Sequence, residues 1–205
     1  SSPKAAARRY RIKGPEAEKF LNTLATRQMD IAVGRVRYTC WCNVAGKIID
    51  DGTCFRLADD EYLLFPGDLH PEHFGAVAAG MDVEVSPITD EIASLTVQGK
   101  TSLSALLALG PGVSDLPQLK PFSFADYETV AGTIRISRTG FFGDLGYELW
   151  FSAEQGPAIW DALLAADTLP AGMSCLEMAR LEAVSCHDIA AIWVAFFSRC
   201  HRYRC

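Results

Sequence analysis

The chain has 205 residues, enough for one large domain or two small ones with a real core. Its 49% hydrophobic and 21% charged residues are those of an ordinary soluble globular protein, and its longest apolar run, residues 189 to 197, is too short to span a bilayer. The net charge is −6, with Lys and Arg scattered except at the two ends, which argues against a nucleic-acid groove.

The opening "SSPKAAARRYRIKG" has charge but no apolar core of a signal peptide, so a cytoplasmic protein is the expectation. "GPEAEKFLNTLA" reads as a helix, with Pro15 at its first position and Ala17, Phe20, Leu21 and Leu24 on one stripe. "RVRYTCWCN" alternates Val36, Tyr38, Cys40 and Cys42 against Arg35, Arg37, Thr39 and Trp41, as a strand does. Cys40 and Cys42 then share a face and read as small core residues in a reducing compartment. "NVAGK" turns the chain, with Gly46 available for positive φ. Strands over "GTCFRL" and "EYLLF" follow, and a short helix near "PEHFGAVAAG" closes the unit.

The same order then recurs. Gly14 and Gly99, Tyr62 and Tyr147, and Leu64 and Leu149 are matched pairs at one common separation of 85 residues. An internal duplication predicts two α+β units that pack together and leave a site between them. Between them "DVEVSPITDEIASLTVQG" supplies at least one strand. In the second unit Ser152 with Gln155, and Ser174 with Glu177, form capping-box patterns before "GPAIWDALLAA" and "MARLEA"; Ile159, Leu163 and Leu164 of the former point to the core.

The chemistry is sparse. Asp50 and Asp51 lie side by side in a strand whose faces alternate, so at least one points to the apolar side. A buried carboxylate is normally hydrogen-bonded, paired or facing a ligand cavity. The pair is therefore either a bulge or strand end satisfied by backbone N–H groups, or a catalytic or ligand-binding acid. Glu148, in "SRTGFFGDLGYELW", sits on the face opposite Tyr147 and Leu149; it is either solvated or holds a polar ligand. Arg180 lies among Glu177 and Glu182 and reads locally as a surface ion pair. The seven cysteines include no C-x-x-C, and Cys186-His187 and Cys200-His201 meet no standard ligand spacing, so no metal site is expected.

From about Lys13 to Ala183 these segments, above all "GRVRYTCWCNVAGKIIDDGTCFRL", "SRTGFFGDLGYEL" and "MARLEA" in that order, resemble the glycine-cleavage T-protein family. It comprises tetrahydrofolate-dependent aminomethyltransferases and demethylase-like relatives. The resemblance implies an α+β fold of two related antiparallel-sheet-plus-helix units (8–92 and 93–183) forming a folate-binding domain, without the family's C-terminal β-barrel. It also leaves a divergent tail over 184–205. It implies a one-carbon transferase with tetrahydrofolate as cofactor and a small-molecule or lipoyl-protein donor, with no nucleic acid or membrane partner. Asp51 would be the catalytic aspartate, near the folate N5 and the transferred carbon, while Asp50 supports the turn. Glu148 would hydrogen-bond the donor edge of the pterin, with Arg180 and Tyr38, the tyrosine of "Y-x-x-x-x-N", as further folate contacts. Gly46-Lys47 stands where the family has two glycines and Phe142 replaces a Thr, while "IDDGTCFRL", in place of the T-protein's more aliphatic strand, is closer to the demethylase-like relatives. The alternatives are a non-catalytic folate-binding module or an inactive fragment of a larger transferase.

Overall fold

The computed structural model describes residues 8–140 and 145–172, with residues 174, 175, 178, 179, 181 and 182. Its contacts divide the chain into two units, one holding residues 8–93 with 120–125 and 151–153, the other holding 94–119, 126–150 and 154 onward.

The first unit runs β1 (Tyr10–Lys13), α1 (Ala17–Leu24), β2 (Val36–Cys42), β3 (Ile48–Ala58), β4 (Glu61–Pro66), α2 (Pro71–Ala78) and β5 (Glu84–Pro87). Its antiparallel sheet has the order β2-β3-β4-β1-β5. The apolar stripe of α1 falls as the 3.6-residue period requires, with Ala17, Phe20, Leu21 and Leu24 all buried. These residues and Phe74 of α2 pack on one face of the sheet against Tyr10, Ile12, Trp41, Cys54, Tyr62 and Leu64. Each large apolar side chain enclosed on this face contributes roughly 1.5–3 kcal/mol. Gly46 takes φ 72° in the β2–β3 turn, where Asn43 Oδ1 accepts the N–H groups of Ala45 and Lys47.

Among the described residues there follow β6 (Ala93–Gln98), α3 (Ser102–Leu107), β7 (Phe124–Thr129), β8 (Gly132–Ser137), β9 (Gly146–Phe151) and α4 (Gly156–Ala165). Their sheet has the order β6-β9-β8-β7 and, like the first, stays open rather than closing into a barrel. The expected α+β pair of related units is present. α1 and α3 begin 85 residues apart, as do α2 and α4, while β4 and β9 coincide at both ends at the same separation. Gly14 and Gly99 both take positive φ, 139° and 107°, at the turn into a helix; Gly14 N donates to Asp60 O and Gly99 N to Leu145 O, again 85 residues on.

Three expectations change. Pro15 lies in the turn before α1, which starts at Ala17, because Gly14 and Glu16 spend two more residues redirecting the chain. Cys40 and Cys42 are only half-buried, and Trp41 between them is the enclosed residue, because the helices pack on the Trp41 side of β2. Leu164 is 40% exposed: α4 turns Ile159 and Leu163 inward, and the next position after Leu163 lies about 100° round the helix.

Candidate functional site

The two aspartates of β3 point to opposite faces, and each has its own partners. Asp50 pairs with Trp41 across the ladder and Asp51 with Cys40. Asp50 therefore faces the helices, where it is only 8% exposed. Its Oδ1 accepts the N–H of Asp51 at 2.8 Å, and its Oδ2 accepts the N–H of Asp68 at 2.9 Å and meets His70 Nε2 at 2.7 Å. His70 is the residue before α2, its backbone N–H donates to Tyr10 Oη, and its ring stands edge-on to Trp41. Asp50 thus fastens the β4–α2 turn to the start of β3. The next residue but one, Gly52, is required by the same crowding, since a Cβ there would lie 2.3 Å from Phe65 O.

Asp51 is on the other face, half-buried, with Tyr38. The tyrosine hydroxyl donates to Asp51 Oδ2 at 2.6 Å, and Asp51 Oδ1 has no hydrogen-bond partner among the described residues. Burial holds the Asp51 carboxyl above the ordinary aspartate value; the tyrosine hydroxyl opposes this by stabilising the anion, and the neighbouring Asp50 charge adds to it. The result is a carboxyl in a sheltered place with one oxygen held and one available.

Glu148 makes a second such place on β9. It pairs with Ser137 of β8 and faces away from the buried Tyr147 and Leu149. Trp150 Nε1 donates to Ser137 Oγ at 3.1 Å, Ser137 Oγ lies 2.7 Å from Thr139 Oγ1, and Thr139 donates to Glu148 Oε2. Burial pushes the Glu148 carboxyl above the ordinary glutamate value, against the Thr139 hydrogen bond that stabilises its anion. Oε1 has no partner among the described residues.

Tyr38 and Asp51 are thus in direct contact, and Glu148 heads a separate hydrogen-bonded chain. Arg180 lies outside the described residues. His70, Ser137 and Thr139 were not anticipated; the Asp50–His70 pair spans 20 residues and joins a strand to a helix start, and no local pattern announces such a contact.

Residues 5–190 match the profile of the GCVT N-terminal domain. An aminomethyltransferase from Anoxybacillus flavithermus is 34% identical over 183 residues, which cover 85% of this chain and 50% of that protein. One from Thermotoga maritima is 33% identical over 184 residues, with the same coverage of 85% and 50%. Among solved structures, the glycine cleavage system aminomethyltransferase T from Bartonella henselae has a TM-score of 0.74 at 22% identity, over 87% of this chain and 49% of that one. A chain of heterotetrameric sarcosine oxidase from Corynebacterium sp. U-96 has a TM-score of 0.57 at 14% identity, over 82% of this chain and 85% of that one. The two structural likenesses are likenesses of fold. The chain spans about half the length of the curated relatives it matches.

Proposed function

The chain belongs to the GCVT N-terminal domain family, and on that premise we propose that it is the folate-binding part of a one-carbon transferase. In this reading tetrahydrofolate accepts a methylene or methyl group from an amine donor, either a small molecule or an aminomethyl-lipoyl protein. Tetrahydrofolate, when bound, supplies the nucleophilic amine that accepts the one-carbon unit. The residues of this chain suit it. Glu148 offers a carboxyl with one oxygen held by Thr139 and one available, the arrangement an amino-pyrimidinone edge needs from an acceptor.

Asp51 is the residue proposed to act on the reacting centre. A sheltered carboxylate stabilises positive charge on an adjacent amine far better than one in water, because the field is less screened. Tyr38 is proposed to fix its orientation by holding Oδ2 and leaving Oδ1 for the amine, and its hydrogen bond favours the ionised form that this role requires. Asp50 takes no part in binding in this reading; its hydrogen bond from the Asp51 N–H sets the backbone from which Asp51 projects. The Tyr38–Asp51 contact is the observation that carries the proposal.

The test is calorimetric titration of tetrahydrofolate into the chain, with turnover followed on candidate donors. Glu148→Ala abolishes binding, whereas Asp51→Asn keeps binding and lowers turnover by roughly 10²–10³-fold, the size of effect expected when one preorganised electrostatic group is removed. Full turnover in Asp51→Asn overturns the catalytic assignment. A folded chain that does not bind tetrahydrofolate overturns the reading altogether.

A further inference from the structure

The strand that carries Tyr38 continues into two thiols. Cys40 and Cys42 stand two residues apart on β2, an edge strand, and both are half-buried rather than enclosed. Residues two apart on a strand share a face. The bulge in this hairpin leaves that intact: Trp41 pairs with Asp50 and Cys42 with Ile48, so the extra residue, Ile49, belongs to β3 and β2 keeps its alternation. Cys40 pairs with Asp51, which puts the thiols on the face of Asp51 and Tyr38. Cys40 Sγ lies 3.1 Å from the hydroxyl of Thr26, an exposed residue and a donor suited to a thiolate.

Three chemistries use such a pair, and the geometry separates them. Two residues along a strand span about 6.6 Å between Cα atoms, close to the upper end of what a disulfide bridges, and side chains pointing the same way keep their Cβ atoms too far apart. Oxidation to a disulfide would strain β2. Zinc needs about four donors in a tetrahedron, and among the described residues no group of three or more His, Cys, Asp or Glu is placed to hold a metal. A soft monovalent ion is different: thiolates select it, and two of them on one face offer it a donor pair without requiring the strand to bend.

We propose that Cys40 and Cys42 form a two-thiolate site for a soft monovalent cation of the Cu(I) class, on the Asp51 face of the β2–β3 hairpin. Binding forms two sulfur–metal bonds and releases one proton from each thiol, with no change in oxidation state. The ion sits across the ladder from Asp51, so occupancy and a ligand at Asp51 would compete for one place. The site itself stands independently of any role of Asp51 in one-carbon transfer.

The test is anaerobic competition for Cu(I) against a chromophoric chelator. It uses the full chain with Cys175, Cys186, Cys200 and Cys205 replaced by Ser, which removes the exposed Cys175 and the three thiols outside the described residues. Cys54 stays, because burial raises its thiol to about 12 and encloses it. The expected result is one Cu(I) withdrawn per chain and not displaced by excess Zn(II). Cys40→Ser or Cys42→Ser weakens retention by more than the roughly 10–100-fold that loss of an outer-shell partner costs a metal site. Cys42→Met, which keeps a soft sulfur donor, recovers part of the affinity; circular dichroism of each variant separates loss of the site from loss of fold. The proposal is overturned if the parent leaves the chelator loaded, if a folded Ser variant retains Cu(I) as the parent does, or if the product is a metal-free Cys40–Cys42 disulfide.

Discussion

The two units share a backbone plan and differ in what they mount on it. Leu63 of β4 and Glu148 of β9 occupy matching positions 85 residues apart, and their ladder partners are Phe55 and Ser137. Two residues further along, Phe65 matches Trp150. In the first unit this face is therefore a buried apolar group, with the Phe55 ring 4.9 Å from Phe65 and 5.3 Å from Phe124. In the second it is the chain of hydrogen bonds from Trp150 through Ser137 and Thr139 to Glu148. On the other face of these strands Tyr62 and Leu64, which pack with the helices of the first unit, are answered by the buried Tyr147 and Leu149. The two carboxyls with an oxygen available stand on the face opposite those residues: Glu148 in one unit, and Asp51, further along the sheet, in the other.

Giving the first unit a polar residue of the second should cost the most. Phe55→Ser gives the first unit the residue of the second but not its partners. The substitution empties the space between Phe65 and Phe124 and leaves a hydroxyl with no chain to join. A cost of about 3–5 kcal/mol is expected, the range for removing an enclosed aromatic side chain. Urea denaturation reads it as a drop in midpoint, and a change below about 1 kcal/mol would show that this face is not part of the core.

A smaller effect is expected in the pH dependence of stability. Asp51 and Glu148 are both held above their ordinary values, chiefly by burial. The folded chain thus keeps protons that the unfolded chain has released, so stability falls as pH rises from the ordinary carboxylate range through the raised values, and levels off above them. A carboxyl whose pKa is one higher in the folded chain than in the unfolded one accounts for about 1.4 kcal/mol of that fall. Asp51→Asn and Glu148→Gln should each remove a share of that fall and flatten the dependence of the unfolding midpoint on pH. If stability instead rises across this range in the parent and both variants alike, burial does not govern these two groups.

Much of this plan was legible in the sequence. The stripe of α1, the Gly46 turn, the 85-residue recurrence and the position of Glu148 opposite Tyr147 and Leu149 are all local periodicities, and local periodicity is what a sequence displays directly. What it hid depended on which face of a sheet the rest of the chain would cover. Alternation along β2 is plain in the sequence, yet it cannot say that the helices take the Trp41 side, and so it points Cys40 and Cys42 to the core. The division of labour between Asp50 and Asp51 needed the same information. His70 was missed because its meaning comes wholly from a contact 20 residues away.

The smallest effect is expected at the residues that directly precede α2 and α4. His70 and Gln155 stand 85 residues apart, each directly before its helix, and each reaches back to the start of the strand that pairs with β4 or β9. His70 meets the Asp50 carboxylate, whereas Gln155 Nε2 donates to Ala131 O at 2.9 Å and Thr133 O at 3.0 Å. His70→Ala should cost about 0.5–1.5 kcal/mol, the net value of one hydrogen bond, because Asp50 keeps the N–H groups of Asp51 and Asp68 and is not orphaned. His70→Gln should cost less, since its amide offers the same carboxylate an N–H. Gln155→Ala should stay within about 0.5 kcal/mol, because water replaces the amide at exposed Thr133 and half-exposed Ala131. Amide hydrogen exchange distinguishes a fastening from a mere contact: if Asp50 holds β3 through His70, the Asp51 N–H loses protection in His70→Ala and regains it in His70→Gln. Unchanged protection in both would mean that Asp68 alone anchors Asp50, and that the two units fasten their helices by unrelated means despite the matching positions.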